Sequence, residues 1–411
     1  MTPIVVTGLG AVTPLGVGVD ATWTAMLGGR SGVRRVTRFD ATEHRVRIAG
    51  DIPDFDASAH LPKPYDHRLE TYAQYGVVAA QEALAQAGLA DGAPDPDRLS
   101  VVVGTGYGCT RTNADAVRRL AEVGPRRLGP TCAVFGAQDI VAGYLSLTHD
   151  ARGEAVSVSA ACASGTVALG HGLRLLRTGA ADAVVIVGAE GAVEEKDLAV
   201  VAGAQALTTS YNDDPTRASR PFDRDRDGFV LSCGGAAMVL ETAAHAGARG
   251  AEPLAEVLGY GAASDAHHLT APHPGGRGAR TAMRKALDDA RTSAADVGHV
   301  NAHGTSTRLN DGVEAHALAD LFGAHTPDVT VTSTKSMTGH MIGAAGVIEA
   351  LACVQALHTG WVPPTVNCDD LEYPFLDVVR TGARPAQPAV ALSNSFGFGG
   401  HCASVVLARA A

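Results

Sequence analysis

The sequence predicts an α/β fold built from two duplicated halves. Short apolar, β-branched runs such as Leu99–Val103 and Val184–Val187 lack polar/apolar alternation, as expected of strands covered on both faces. Ala/Leu-rich stretches of helical length, such as Tyr72–Ala87 and Gly165–Leu176, separate them. The same order of features then recurs downstream, which points to an internal repeat.

The elements follow in chain order. Ile4–Thr7 is a strand, and Gly8-Leu9-Gly10-Ala11-Val12-Thr13 after it half-matches a dinucleotide fingerprint. Its third glycine is Thr13, however, and Pro14 interrupts the helix such a motif requires. Leu99–Val103 leads into Gly104-Thr105-Gly106, as Val297–Ala302 leads into His303-Gly304-Thr305. Val156–Ser159 precedes a small-residue helix containing Cys162; Val329–Thr332 precedes Gly339–Leu357. Val184–Val187 ends in Gly188-Ala189, and Ala389–Leu392 ends in Ser393-Asn394 and a glycine cluster. These three ordered echoes place the break near residue 250, giving halves 1–250, with Cys162, and 251–411, with His303 and His340.

Composition narrows the function. Hydrophobic residues make up 46% of the 411, enough for a sizeable core, and charged residues only 18%, which suggests an oligomer. A net charge of −10, no basic block and 5% aromatics argue against nucleic acid as a partner. Seven dispersed cysteines with no CxxC pair give neither a disulfide framework nor metal-ligand spacing, so no metal is expected. Asp223-Arg224-Asp225-Arg226-Asp227-Gly228 imitates a calcium loop, but its twelfth position is Gly234 rather than Glu. The start, Met1-Thr2-Pro3-Ile4, lacks a basic n-region and an apolar h-region, and the most apolar stretch, Met341–Leu357, is interrupted by Glu349. A cytoplasmic protein that does not enter the membrane is expected.

Cys162 follows an apolar strand and opens a helix among small residues, Ala160-Ala161-Cys162-Ala163-Ser164-Gly165. A thiol there feels the helix dipole and nearby amides, which lower its pKa, and a substrate can approach it. A buried structural cysteine is the competing reading of the local sequence. His303, in Asn301-Ala302-His303-Gly304-Thr305-Ser306-Thr307, is presented at the carboxyl end of a strand, where α/β sheets bind ligands. His340 closes Ser333-Thr334-Lys335-Ser336-Met337-Thr338-Gly339-His340 just before a long apolar helix.

Taken together, Cys162, His303, Lys335 and His340 resemble the β-ketoacyl-ACP synthases, condensing enzymes of the thiolase superfamily. The likeness runs from Ile4-Val5-Val6-Thr7-Gly8-Leu9-Gly10 through Ser219-Arg220-Pro221-Phe222-Asp223 and Ser264-Asp265-Ala266 to Asn394-Ser395-Phe396-Gly397-Phe398-Gly399-Gly400. It implies a thiolase-like, layered αβαβα fold and decarboxylative condensation of an acyl thioester with a malonyl group. The substrates ride on the phosphopantetheine of an acyl carrier protein, with no further cofactor. By the resemblance, Cys162 is the nucleophile, the amides of Cys162 and Phe398 form an oxyanion hole, and His303 and His340 hydrogen-bond the enolate. Lys335 pairs with Glu314 as an organiser. Thr270, Thr305 and Thr307 meet the pantetheine arm, Phe398 with Gly399 forms a gate, and Val201 lines the acyl pocket. Tyr107 reaches across a dimer to close the partner's pocket. Arg126, Arg127, Lys63 and Arg68 dock the carrier.

Several positions depart from the family pattern. Arg308 stands where a proline is usual, and the run Thr307-Arg308-Leu309-Asn310-Asp311 is closer to ketosynthase subunits of bacterial type II polyketide synthases. Ser232-Cys233-Gly234 replaces Gly-Glu-Gly, Cys402 replaces Asn, and Gln205 replaces an arginine. The leading expectation is therefore a ketosynthase of type II polyketide biosynthesis, with fatty-acid elongation as the alternative. The chain would form a homodimer or pair with a chain-length-factor paralogue. A non-catalytic chain-length factor, the alternative of a different class, lacks the nucleophile that Cys162 supplies; a cysteine hydrolase would leave His340 and Lys335 without a role.

Overall fold

The computed structural model describes residues 2–410. Ten strands carry the architecture: β1 (Ile4–Thr13), β2 (Leu99–Gly104), β3 (Ala155–Val158), β4 (Ala183–Glu190), β5 (Gly234–Thr242), β6 (Ala255–Ser264), β7 (His299–Asn301), β8 (Thr330–Thr332), β9 (Val390–Gly397) and β10 (His401–Arg409). Their spatial order is β8-β7-β9-β10-β6-β1-β5-β4-β2-β3, with Asp377–Val378 added beside β8. Read from the middle outwards, each half follows the order 1-5-4-2-3. In each, the fifth strand runs antiparallel to its neighbours and the second lies parallel to the third and fourth. The repeat read from the sequence is thus a repeat of topology. The halves join where β1 and β6 pair antiparallel, Val5 with Glu256 and Val6 with Ala255.

Eight helices complete the arrangement: α1 (Thr71–Ala87), α2 (Thr110–Val123), α3 (Ser164–Arg177), α4 (Glu195–Gly203), α5 (Arg277–Ala290), α6 (Arg308–Phe322), α7 (Lys335–Thr338) and α8 (Ala345–Thr359). Helix α1 covers one face of the first half; α3 and α8 pack on each other between the halves; α5 covers the outer face of the second half beside α6. The result is the expected αβαβα layering. The segment Ile342–Thr359 is long and apolar enough to cross a membrane, yet 83% of it is buried as the central layer.

Most strands lie where apolar runs predict them, but β1 continues to Thr13 through the half-matched fingerprint. Its glycines serve close packing instead: a Cβ on Gly8 or Gly10 would come within 2.0 and 1.8 Å of the Ala83 and Ala79 carbonyls of α1. Strand β9 likewise runs past Leu392 to Gly397, carrying the buried polar residues Ser393, Asn394 and Ser395 into the site region.

Candidate active site

Cys162 sits on a sharp turn between β3 and α3. Ala161 adopts φ +49°, a left-handed conformation costly for a residue with a Cβ. The Ser164 hydroxyl holds that turn, accepting from the Ala160 amide at 2.8 Å and donating to the Ala161 carbonyl at 2.6 Å. The thiol is buried. Burial pushes it up to about 11, opposed by the Lys335 charge and by the amides of Phe398 and of Cys162 itself, which point at the sulfur. The lowered pKa expected from the helix terminus is therefore not found: desolvation outweighs the favourable field, and the resting group is a neutral thiol.

His303 follows β7, and Glu314 on α6 fixes its backbone. One carboxylate oxygen accepts from the His303 amide and the other from the Gly304 amide, each at 2.8 Å. The Lys335 ammonium lies 3.2 Å from His303 Nδ1 and donates to the His303 carbonyl at 2.6 Å. An ammonium can only donate, so Nδ1 is the acceptor and the ring proton resides on Nε2. Lys335 forms its ion pair with Glu349 on α8, both residues buried, rather than with Glu314. Glu314 is already occupied by the two amides and by the Asn394 side chain at 3.2 Å. The sequence reading missed Glu349 because it treated a lone carboxylate in an apolar helix as a break, when such a residue signals a buried cation.

His340 packs edge-on against Phe229 and His303, with ring centroids 5.2 and 5.4 Å away. Among the described residues neither of its ring nitrogens has a partner. Burial, then the Lys335 charge, holds His340 well below the usual histidine range; His303 is lowered by burial, by Lys335 and by His340. Both rings are neutral at neutral pH and offer N–H donors rather than cations.

Cys162, His303 and His340 line one cavity of about 330 Å³, with Thr270, Thr305, Thr307 and Phe398 also in its wall. The hydroxyls of Thr305 and Thr307 are 3.0 Å apart. Gly399 turns with φ +84° and donates its amide to the Leu269 carbonyl at 2.6 Å, so the Phe398 segment is tied to the loop that carries Thr270. Arg308 and Cys402 line the same cavity.

Tyr107 lies in the loop that follows β2. Its amide donates to Glu190 of its own chain at 3.3 Å, and its ring packs on the cluster that contains Cys162, Val201 and Ile342 of that same chain. Glu190, which the sequence reading also missed, is fully buried and accepts from the amides of Gly106 and Gly343, at 2.8 and 3.1 Å. Lys63, Arg68, Arg126 and Arg127 are exposed and line no part of the Cys162 cavity. Arg68 instead borders a separate surface groove with Arg111 and Arg119.

Residues 1–246 match the β-ketoacyl synthase N-terminal domain and residues 254–369 its C-terminal domain. The chain belongs to the β-ketoacyl synthase family. It is a ketosynthase enzyme, similar to proteins named 3-oxoacyl-[acyl-carrier-protein] synthase 2. The one from Vibrio cholerae is 40% identical over 409 residues, covering 99% of each chain. That from Synechocystis is 40% identical over 399 residues, covering 97% of this chain and 96% of the relative. Among solved structures, the ketosynthase fold matches a Burkholderia phymatum β-ketoacyl synthase with TM-score 0.91 at 33% identity. It also matches the ishigamide ketosynthase/chain length factor, with TM-score 0.90 at 33% identity. A type II polyketide acyl-carrier protein in complex with its hexaketide-bound ketosynthase matches with TM-score 0.92 at 27% identity. All three cover the whole of both chains.

Proposed function

We propose that this ketosynthase condenses an acyl group held on Cys162 with a malonyl group delivered by an acyl carrier protein, in type II polyketide assembly. The observation that carries the chemistry is the convergence of Cys162, His303 and His340 on one cavity, with both rings neutral and two amides aimed at the sulfur. Cys162 Sγ attacks the thioester carbonyl, whose oxyanion accepts from the Cys162 and Phe398 amides. The carbonyl–sulfur bond to pantetheine breaks, and the thiol proton of Cys162 leaves on the departing pantetheine sulfur. In the second half-reaction the malonyl thioester oxygen faces the N–H groups of His303 and His340. The bond to the carboxylate breaks, CO₂ leaves, and the electron pair moves into an enolate that the two N–H donors stabilise. The enolate carbon attacks the acyl-Cys162 carbonyl, the acyl–sulfur bond breaks, and the departing Cys162 thiolate takes up a proton from water, the one proton the overall reaction consumes. Thr305 and Thr307 are placed to hydrogen-bond the pantetheine amides.

The pathway assignment rests on Arg308 at the cavity wall, in the run Thr307-Arg308-Leu309-Asn310-Asp311 that is closer to type II polyketide ketosynthases. The 40% identity to 3-oxoacyl synthases favours fatty-acid elongation as the second reading. For a partner, β3 ends the sheet with a part-exposed edge, and Val117, Leu120, Val123 and Val134 stand exposed in the segment that follows β2. We assign this side to a second subunit, either another copy or a chain-length-factor paralogue. The test is reconstitution with malonyl carrier protein, alone and with a Cys-less paralogue, reading products by mass. Several successive condensations without reduction support polyketide assembly; a single condensation that proceeds further only after β-keto reduction overturns it in favour of fatty-acid elongation.

A further inference from the structure

Helix α7 is a single turn that separates Lys335 from Gly339 and His340. So short a helix satisfies only its first carbonyl, that of Lys335, from within, and all four residues are buried away from water. Further partners come from other segments. The Lys335 carbonyl accepts from the Gly339 amide at 3.0 Å and the Ser219 hydroxyl at 2.7 Å; the Met337 carbonyl accepts from the Gly32 amide at 2.8 Å. The Thr338 carbonyl accepts from the Ser232 hydroxyl at 2.7 Å. The same hydroxyl lies 3.1 Å from the Gly50 carbonyl, and the Ser232 backbone continues the connection, its amide donating to the His340 carbonyl at 3.0 Å. The His340 amide in turn donates to the Val230 carbonyl at 2.7 Å. With both ring nitrogens unpartnered, His340 is oriented only by this backbone lacing and by its ring contacts.

We propose that Ser232 is a positioning residue for the decarboxylation step, its hydroxyl fixing the end of α7 and thereby the placement of His340 against His303. The inference rests on the role given above to the two histidines. Cys162 is held by the Ser164 turn, which makes no hydrogen bond to Ser232, so the two half-reactions should respond differently to its loss. Removing the hydroxyl leaves a buried carbonyl without a donor, and the turn shifts to relieve it.

The experiment is Ser232→Ala, with Ser232→Cys as a second variant that keeps a weaker donor, each assayed in two separate steps. Acylation of Cys162 by acyl-carrier protein, read by intact mass, should proceed within about twofold of the parent enzyme, which also shows that the variants fold. Release of CO₂ from malonyl carrier protein should fall about tenfold in kcat for Ser232→Ala, less for Ser232→Cys, with KM unchanged. Unchanged CO₂ release, or equal loss in both steps, overturns the inference. His340→Ala serves as the reference. If CO₂ release collapses there but persists in Ser232→Ala, the inference alone fails; if it persists in His340→Ala, the reading of the histidines fails as well.

Discussion

Lys335 is joined to His303 at two atoms, its ammonium reaching ring Nδ1 at 3.2 Å and the carbonyl oxygen at 2.6 Å while paired with Glu349. One buried cation thus fixes a ring tautomer, a backbone position and a carboxylate. Lys335→Met should cost about 3–5 kcal/mol in denaturant unfolding, because it strands the Glu349 carboxylate. Adding Glu349→Gln to that variant should recover more than half of the loss. A single-variant cost below ~1 kcal/mol would show that the pair is dispensable.

In the proposed mechanism the two histidines act after acylation. His303→Ala and His340→Ala should still take an acyl group onto Cys162, yet lose roughly 10²–10³ in CO₂ release, or about 2.7–4 kcal/mol of transition-state stabilisation. Because both rings are held well below the usual range, their N–H groups persist as donors across neutral pH. No activity step near the ordinary histidine pKa of about 6.5 is expected from either; a pH–rate limb there that disappears in one of the variants would contradict the neutral-ring reading.

Cys162 should behave as an acid held in its protonated form. With its pKa raised to about 11, deprotonation lies above that of an exposed thiol. Its alkylation by iodoacetamide should climb about tenfold per pH unit through pH 9 without levelling, whereas an ordinary thiol levels near its pKa of about 8.5. A plateau below pH 8 would mean that the sulfur is a thiolate at rest. Cys162→Ala should abolish both the adduct and condensation.

Tyr107 packs against the core cluster of its own chain that also contains Cys162, and on the reading that it lines that chain's acyl pocket its effect on chain length does not depend on which subunit pairs with it. Tyr107→Ala should admit longer acyl chains, each further buried CH₂ contributing about 0.8 kcal/mol to acceptance. Product lengths measured for the enzyme alone and beside a paralogue should shift alike. A shift confined to one assembly would return the residue to the subunit seam.

The exposed pair Arg126 and Arg127 is the expected docking point for the carrier. Charge reversal of Arg126 and Arg127 to Glu should raise KM for carrier-bound substrate and spare a small pantetheine thioester. Equal loss with both substrates would point to damage of the fold instead.

Continuous apolar strands and the helices between them were legible because each is a local pattern, and the duplicated topology was legible as an ordered echo of glycine-ended strands. The far half of β1 was not, since Gly8 and Gly10 read as a loop until α1 is laid across them. The residue types of the site were readable from short motifs around Cys162, His303 and His340. Which carboxylate meets Lys335 was not, because Glu314 and Glu349 lie on different helices and only packing decides between them. The thiol's pKa was misread for a related reason: the helix terminus is visible in sequence, whereas the burial that outweighs it is a property of the assembled layers.

The antiparallel seam between Val5–Val6 and Ala255–Glu256 makes the first strand synthesised the centre of the finished sheet. Its two neighbours, β5 and β6, leave the ribosome more than two hundred residues later. Until then the lateral partner of β1 is the two-residue strand Gly16–Val17 at its far end, and the rest of its apolar surface must be shielded by the helices made in between or by a chaperone. So distant a pairing is slow to find, and the first half cannot close its sheet until β5 has been made.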